Sequence, residues 1–433
     1  MTDSRPRSTL ALVADRNFGP FFVGNLSSNI GTWFQQMTAA IVVFDVTRST
    51  FMVGMVGVAQ FLPSLVLAPW TGAAADRFDR RRLLIGAQST AAVAATSLAV
   101  LTLTVGLEPF PAAWPVLVTA FVIGLANATA TPAQQALVPA LVRPVDLDQA
   151  VALTSVTFNL ARAIGPALGA AVLVAWGPGA AFSVNALSYL VLVAGLTMVR
   201  AHPIPRPPRA SIWVGFSYVR RDPILAVLLI GVTALGFGAD PVITLTPALA
   251  EGLVDARFSN ADGLVGLLIS AFGAGAMFAA LVVGRARARW GHTRVATGGL
   301  VLLGTGMLGL GSAPAPWPAL MAMLIGGMGF LLAVTSLTSA MHIRIPDELR
   351  GRIMALWGVA FLGSRPVAAF LDGSVADLVS PQAATFVSAA IVIACAAVVR
   401  TRVPVTPEPV PVLPVTPPVG SRAEDADTPG RRP

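Results

Sequence analysis

Runs of about twenty apolar residues, separated by short charged or Pro/Gly-rich breaks, recur from one end of this 433-residue chain to the other. An α-helix rising ~1.5 Å per residue needs about that length to cross the ~30 Å hydrocarbon core of a bilayer. Twelve runs qualify, at roughly 18–44, 52–75, 83–106, 113–138, 148–175, 179–199, 223–250, 262–284, 293–312, 317–341, 350–376 and 380–399. The pattern predicts an all-α integral membrane protein with twelve transmembrane helices. The first and seventh runs are the least uniform, because polar residues interrupt both. The segment before the first run stays polar and charged out to Arg16, and the run has no small-residue cleavage site. It is therefore expected to remain as a membrane helix and not to be removed as a signal peptide.

Charge adds the orientation. All 29 basic residues are arginine, and only 12% of the chain is charged, against about a quarter in soluble domains. With the N-terminus inside, every arginine but four falls on the inner side: Arg48 and Arg257 lie in outer loops, and Arg162 and Arg365 within helices. Inner loops retain the basic residues of a membrane protein, so both termini are placed in the cytoplasm. The net charge of +8 is then a topology signal. Its arginines sit at the ends of apolar runs, without the interleaved aromatics of a nucleic-acid surface, so no nucleic-acid partner is expected. The single Cys395 provides no disulfide framework. His202, His292 and His342 lack metal-ligand spacing, and no Gly-x-x-x-x-Gly-Lys loop is present. The residues give no support to an enzyme, a metal site or a cofactor.

The longest interior break, 200–222, is Pro-rich and basic, and it divides the chain into two sets of six helices. The organisation expected is a short cytoplasmic N-terminus (1–17), a first bundle (18–199), a linker (200–222), a second bundle (223–399) and a disordered Pro-rich cytoplasmic tail (400–433). Weak internal matches point to a parallel duplication of the kind transporters use. "VRPVDLDQAVALTSVTFNLARAIGPALG" and "IRIPDELRGRIMALWGVAFLGSRPVAAF" make Arg162 and Pro166 approximate counterparts of Arg365 and Pro366. "GAAADRFDRRR" at 72–82 has a weaker copy in "GRARARWGHTR" at 284–294, and Gln35 falls opposite Asp240.

Two sets of six helices, with Gly-x-x-x-Asp-Arg-x-x-Arg-Arg between the second and third (Gly72, Asp76, Arg77, Arg80, Arg81), resemble the major facilitator superfamily over about residues 16–400. "NFGPFFVGNLSSNIGTWFQQ", "ADRFDRRRLL", "LLISAFGAGA" and "IPDELRGRIMAL" are similar to its enterobactin-exporter and drug-efflux branch. Asp79, where the superfamily usually has glycine, fits that branch. "ARAIGPALGA" resembles the fifth-helix motif of antiporters through Gly165, Pro166 and Gly169, while Ala161 and Ala170 replace two of its glycines. The resemblance implies a secondary transporter working by alternating access. Gly72, Asp76, Arg77, Arg80, Arg81, Gly165, Pro166 and Gly169 would form its conformational switch, with Asp76 and the arginines holding helix ends and pairing across the seam between the bundles.

Three ionisable residues stand deep in apolar runs: Arg162, Asp240 and Arg365. A charge there costs at least ~2.5–3.5 kcal/mol unless it faces a cavity or a partner. They are candidates for coupling or substrate binding, with Asp240 as the titrating carboxylate; a permanent structural ion pair is the alternative. Asn29, Gln35, Gln36, Asn127 and Asn159 are candidate cavity residues, or equally interhelical glue. The function expected is proton-driven export of a small amphipathic molecule, siderophore or drug-like, by a functional monomer in a bacterial inner membrane. An importer of a nutrient or siderophore, or a non-transporting receptor, are the other readings.

Overall fold

The computed structural model describes residues 7–200, 212–256, 258–346 and 349–404, and among these residues it is helical without strands. The helices are α1 (Thr9–Val13), α2 (Phe18–Thr47), α3 (Thr50–Arg77), α4 (Arg80–Thr104), α5 (Trp114–Leu141), α6 (Leu147–Met198), α7 (Ile212–Arg221) and α8 (Pro223–Ala239). Then follow α9 (Pro241–Thr244), α10 (Thr246–Glu251), α11 (Ala261–Trp290), α12 (His292–Gly311), α13 (Pro316–Arg344), α14 (Arg350–Leu378) and α15 (Pro381–Arg402). About half of the expected linker (201–211), most of the expected tail (405–433) and the first six residues lie outside the described residues, and most of the rest of the linker is helix α7.

Among the described residues, ten stretches are long and apolar enough to cross a bilayer. One, Pro144–Met198, is 55 residues long, and its helix breaks at Gly177, where φ is 77° and ψ 177°. Glycine adopts a positive φ without a steric cost, and Pro178 then restarts the helix at a position where no N–H is needed. The stretch therefore makes two passes, 147–176 and 178–198. α2, 30 residues long, is not among the ten; Asn25, Asn29, Gln35 and Gln36 dilute it. Counting it, the helices are consistent with twelve passes.

The seventh run is the one that departs from a single rod. It is divided into α8, α9 and α10 at Asp240–Pro241 and at Leu245, since a proline removes one backbone donor and its ring crowds the preceding turn. Each half opens its first helix on a capping aspartate. Asp15 accepts from Asn17 N and Phe18 N (2.8 and 3.0 Å), and Asp222 accepts from Ile224 N and Leu225 N (3.0 and 3.2 Å) while pairing with Arg344 at 2.6 Å. Burial disfavours the charged form of Asp15, but the Phe18 and Asn17 amides and the Arg7 guanidinium outweigh it and hold its pKa below the ordinary carboxylate value.

The two halves meet along two seams, α3 against α14 and α6 against α11. Small residues allow this: a Cβ at Gly54 would stand 2.3 Å from Ala369 O, one at Gly373 2.9 Å from Phe51 Cα, and one at Gly266 2.1 Å from Ala170 Cβ. Without a hydrophobic drive between helices in lipid, such close backbone approach is what holds them. All three contacts lie toward the end of the bundle away from the termini. At the other end a Cβ on Gly72 or Gly358 would meet nothing within 4 Å. The seam is closed at the far end and parts toward the termini.

Candidate functional site

The "GAAADRFDRRR" cluster sits at the parted end. Asp79 caps α4 by accepting from Arg82 N at 2.9 Å. Arg80 Nη1 donates to Ala136 O at 3.1 Å, and Arg81 donates to Leu196 O and Thr197 O at 2.6 and 2.8 Å. Leu196 and Thr197 lie in the last turn of α6, so Arg81 satisfies its negative end, while Arg80 ties α4 to α5. Arg80 and Arg81 thus bind inside their own half, where the sequence led us to expect pairing across the seam. In the copy at 284–294, Arg287 donates to the Ser339 hydroxyl on α13 and so also binds within its own half. Arg77 is exposed, Gly72 borders open space, and the Asp76 side chain lies outside the described part of the structure.

At the far end, hydrogen bonds and an ion pair cross the seam. Asp377 of α14 sits at the N-terminus of α3, accepting from Thr50 N and Phe51 N (2.8 and 3.1 Å) and from Ser49 Oγ (2.5 Å). Beside it, Arg48 at the end of α2 pairs with Glu251 of α10. Neither acid was singled out in the sequence. Each looked like a loop-facing carboxylate, and nothing local reveals which helix N-terminus lies opposite.

Gly165 and Gly169 pack α6 onto α2: a Cβ at Gly165 would lie 2.9 Å from Trp33 Cβ, and one at Gly169 2.9 Å from Met37 Cε. Pro166 shows its carbonyl to Gly266 across the α6–α11 seam. Ala170, which fills a glycine position of the antiporter motif, is accommodated because its neighbour in α11 is Gly266.

The amides fall into two groups. Asn29 Nδ2 donates to Asn25 O and Oδ1 (2.8 and 3.1 Å), and Gln134 joins at 2.9 Å. Gln35 accepts from Asn185, and Gln36 shares with Thr32, Gln60 and Tyr189 the lining of a small cavity in the first half. Asn127 is half-buried on α5, and the Asn159 side chain is outside the described part.

Arg162, Asp240 and Arg365 are buried, at 6%, 5% and 8% exposure. Asp240 Oδ2 accepts from Thr244 Oγ1 at 2.7 Å. Near it lies a residue that nothing in the sequence singles out: Asp372 of α14, fully buried, whose charge and that of Asp240 act on each other. Ser388 Oγ of α15 donates to Asp372 Oδ1 at 2.6 Å, while no donor reaches Oδ2. Arg365 acts on Asp240 through its charge without closing an ion pair. Its guanidinium lies 4.7 Å from the ring centroid of Phe61 in the opposite half, and Arg162 lies 4.0 to 5.3 Å from Phe330, Phe272 and Trp33. A desolvated cation over a ring gains ~2 kcal/mol, short of what burial at bilayer depth costs.

A helical bundle of bilayer-crossing length, in two halves that touch at one end and hold buried charges between them, is a multi-pass membrane protein of the transporter class. The chain matches the transmembrane secretion effector family over residues 7–419 and belongs to it, within the major facilitator superfamily. It is similar to the enterobactin exporter EntS of Escherichia coli, 27% identical over 393 residues and covering 86% of this chain and 88% of that one. A staphyloferrin A transporter of Staphylococcus aureus is 29% identical over 173 residues, 40% of this chain and 43% of its own length. Among solved structures, nucleoside transporter NupG superposes with a TM-score of 0.72 at 12% identity, over 88% of this chain and 99% of that one. A D-xylose–proton symporter superposes at 0.69 with 13% identity, over 89% and 98%. At such identity these two establish the fold. The protein is a transporter of the major facilitator type and not an enzyme.

Proposed function

We propose that this transporter exports a small amphipathic molecule, siderophore-like or drug-like, in exchange for protons, from the inner membrane of a bacterium with both termini cytoplasmic. The observation that carries the coupling is the Asp240–Asp372 pair. Two carboxylates buried near each other repel, which favours the pair carrying a proton. Intramembrane carboxyls of this kind mark proton relays. The pair is joined to the α3–α14 seam through the charge of Arg365, so that its protonation can bias how the halves meet. The similarity to an enterobactin exporter supports the outward direction. On this topology the far end is the outside, and the structure is closed to it.

The test is reconstitution into proteoliposomes with an imposed pH gradient and compounds drawn from siderophores, macrolides and dyes. The wild-type protein is expected to drive uphill movement and proton counterflow, and Asp240→Asn to exchange compound without moving protons. Unchanged proton movement in that variant overturns the coupling role. Lower, instead of higher, cellular accumulation of compound on deletion overturns export and favours import.

A further inference from the structure

Arg162 has no acidic residue within ion-pair distance among the described residues. What covers it is aromatic, and two of its three rings, Phe272 and Phe330, come from the opposite half. Arg365 repeats the arrangement on the other seam: its cross-seam ring is Phe61, and its Nε has no hydrogen-bond partner. The rings run on from one arginine to the other. Phe272 and Phe330 have centroids 5.9 Å apart, Phe330 and Phe361 6.2 Å, and Phe361 and Trp357 5.3 Å; Arg365 lies over Phe361 as well. The indole Nε1 of Trp357 is also buried without a partner. The orphaned polar atoms along this strip are donors: a guanidinium nitrogen and an indole N–H.

Charge gives the same answer. The two guanidiniums lie within each other's field, an arrangement that repels unless something negative stands nearby. The charge of Asp240 falls on Arg365, and no ion pair compensates Arg162 among the described residues. Rings can shield a cation but cannot accept the hydrogen bonds of a guanidinium fork, which match a carboxylate in a bidentate manner.

We infer that the cargo is an organic anion with a ring-bearing or apolar body, its acidic group taken by Arg162 and its body laid along the Phe272–Phe330–Phe361–Trp357 strip towards Arg365. The inference deepens the transport reading and rests on it for the purpose of the site.

Binding to the purified full-length protein tests it, with 2-naphthoate and 1-pyrenebutyrate as probes, each beside its methyl ester and the corresponding amine. Thermal stabilisation and quenching of tryptophan fluorescence (Trp33 and Trp357 border the site) are the readouts. The acids are expected to bind at least ten-fold more tightly than the esters and the amines not at all. Arg162→Gln should abolish that preference, Arg162→Lys should keep part of it, and Arg365→Gln should weaken it less. Melting curves without probe show whether each variant is folded. Equal binding of acid and ester, no binding of either acid, or an undiminished preference in folded Arg162→Gln overturns the inference. Acid binding without any flux in proteoliposomes would instead sink the transport reading and leave the anion site standing. Flux of neutral or cationic compounds without acid binding would sink the anion site alone.

Discussion

In the first half of the molecule, the helix that opens the bundle meets the one that ends it through neutral amides, Gln35 of α2 bonded to Asn185 of α6. In the second half the corresponding positions, about 200 residues on, are Asp240 and Ser388. There Ser388 donates to Asp372, which occupies the position that Gly169 holds in the first half. Gly169 lets α2 lie close, whereas Asp372 adds a second buried carboxyl within the field of Asp240. The arginine clusters at the termini end, by contrast, do the same work in both halves, Arg80 holding α5 and Arg287 holding α13. The two halves have kept the staples alike and divided the interior: the first joins its helices there through neutral amides, and the second buries two carboxyls. An amide half and a carboxyl half are what a rocking carrier needs if protonation is to bias one motion and not two.

Substitutions can break that comparison. The largest effect expected is from Asp240→Asn, which removes proton-driven transport down to background, while Gln35→Leu leaves proton coupling intact; proton flux in proteoliposomes reads both. Gly266→Leu comes next. Its side chain has no room beside Ala170, so overpacking of ~1–3 kcal/mol falls on the closed state alone and shifts the equilibrium ~5–150-fold towards opening of the far end. Labelling of a single cysteine placed near residue 54 measures the shift. Gln35→Leu itself costs ~0.6–2 kcal/mol of stability, the range for an interhelical hydrogen bond in a membrane, and lowers the melting temperature. Asp377→Asn weakens a carboxylate at a helix N-terminus by ~0.3–1 kcal/mol, a two- to five-fold shift by the same labelling. The smallest effect belongs to Glu251→Gln. The Arg48–Glu251 pair is 63% and 43% exposed, and a pair so open contributes at most ~0.2–1 kcal/mol, less as salt rises.

The candidate site was legible in parts. Arg162, Asp240 and Arg365 stood out because a charge inside a twenty-residue apolar run is conspicuous without any knowledge of its surroundings. Asp372 and Asp377 did not, since they fall in "FLDGSVADL", close enough to the end of a run to read as the start of a loop. Phe272 was one aromatic among 21 phenylalanines, and only its approach to Arg162 from the other half sets it apart. The motif around Gly72 and Asp76 was plain in the sequence, yet the bonds its neighbours Arg80 and Arg81 make are internal to the first half, because the seam is parted at that end.

The sequence by itself determined that this is an all-helical, multi-pass membrane protein, and it set the expectation of twelve crossings with a division at 200–222. The bilayer is a solvent that acts on each local run, and length, hydropathy and arginine placement are properties of local runs. Only the tertiary structure decided which buried charge has a partner, where the seam is closed, and which half carries the carboxyl pair. Those depend on residues one to three hundred positions apart in the chain, brought together by glycines whose role in the sequence is silent until the helices pack.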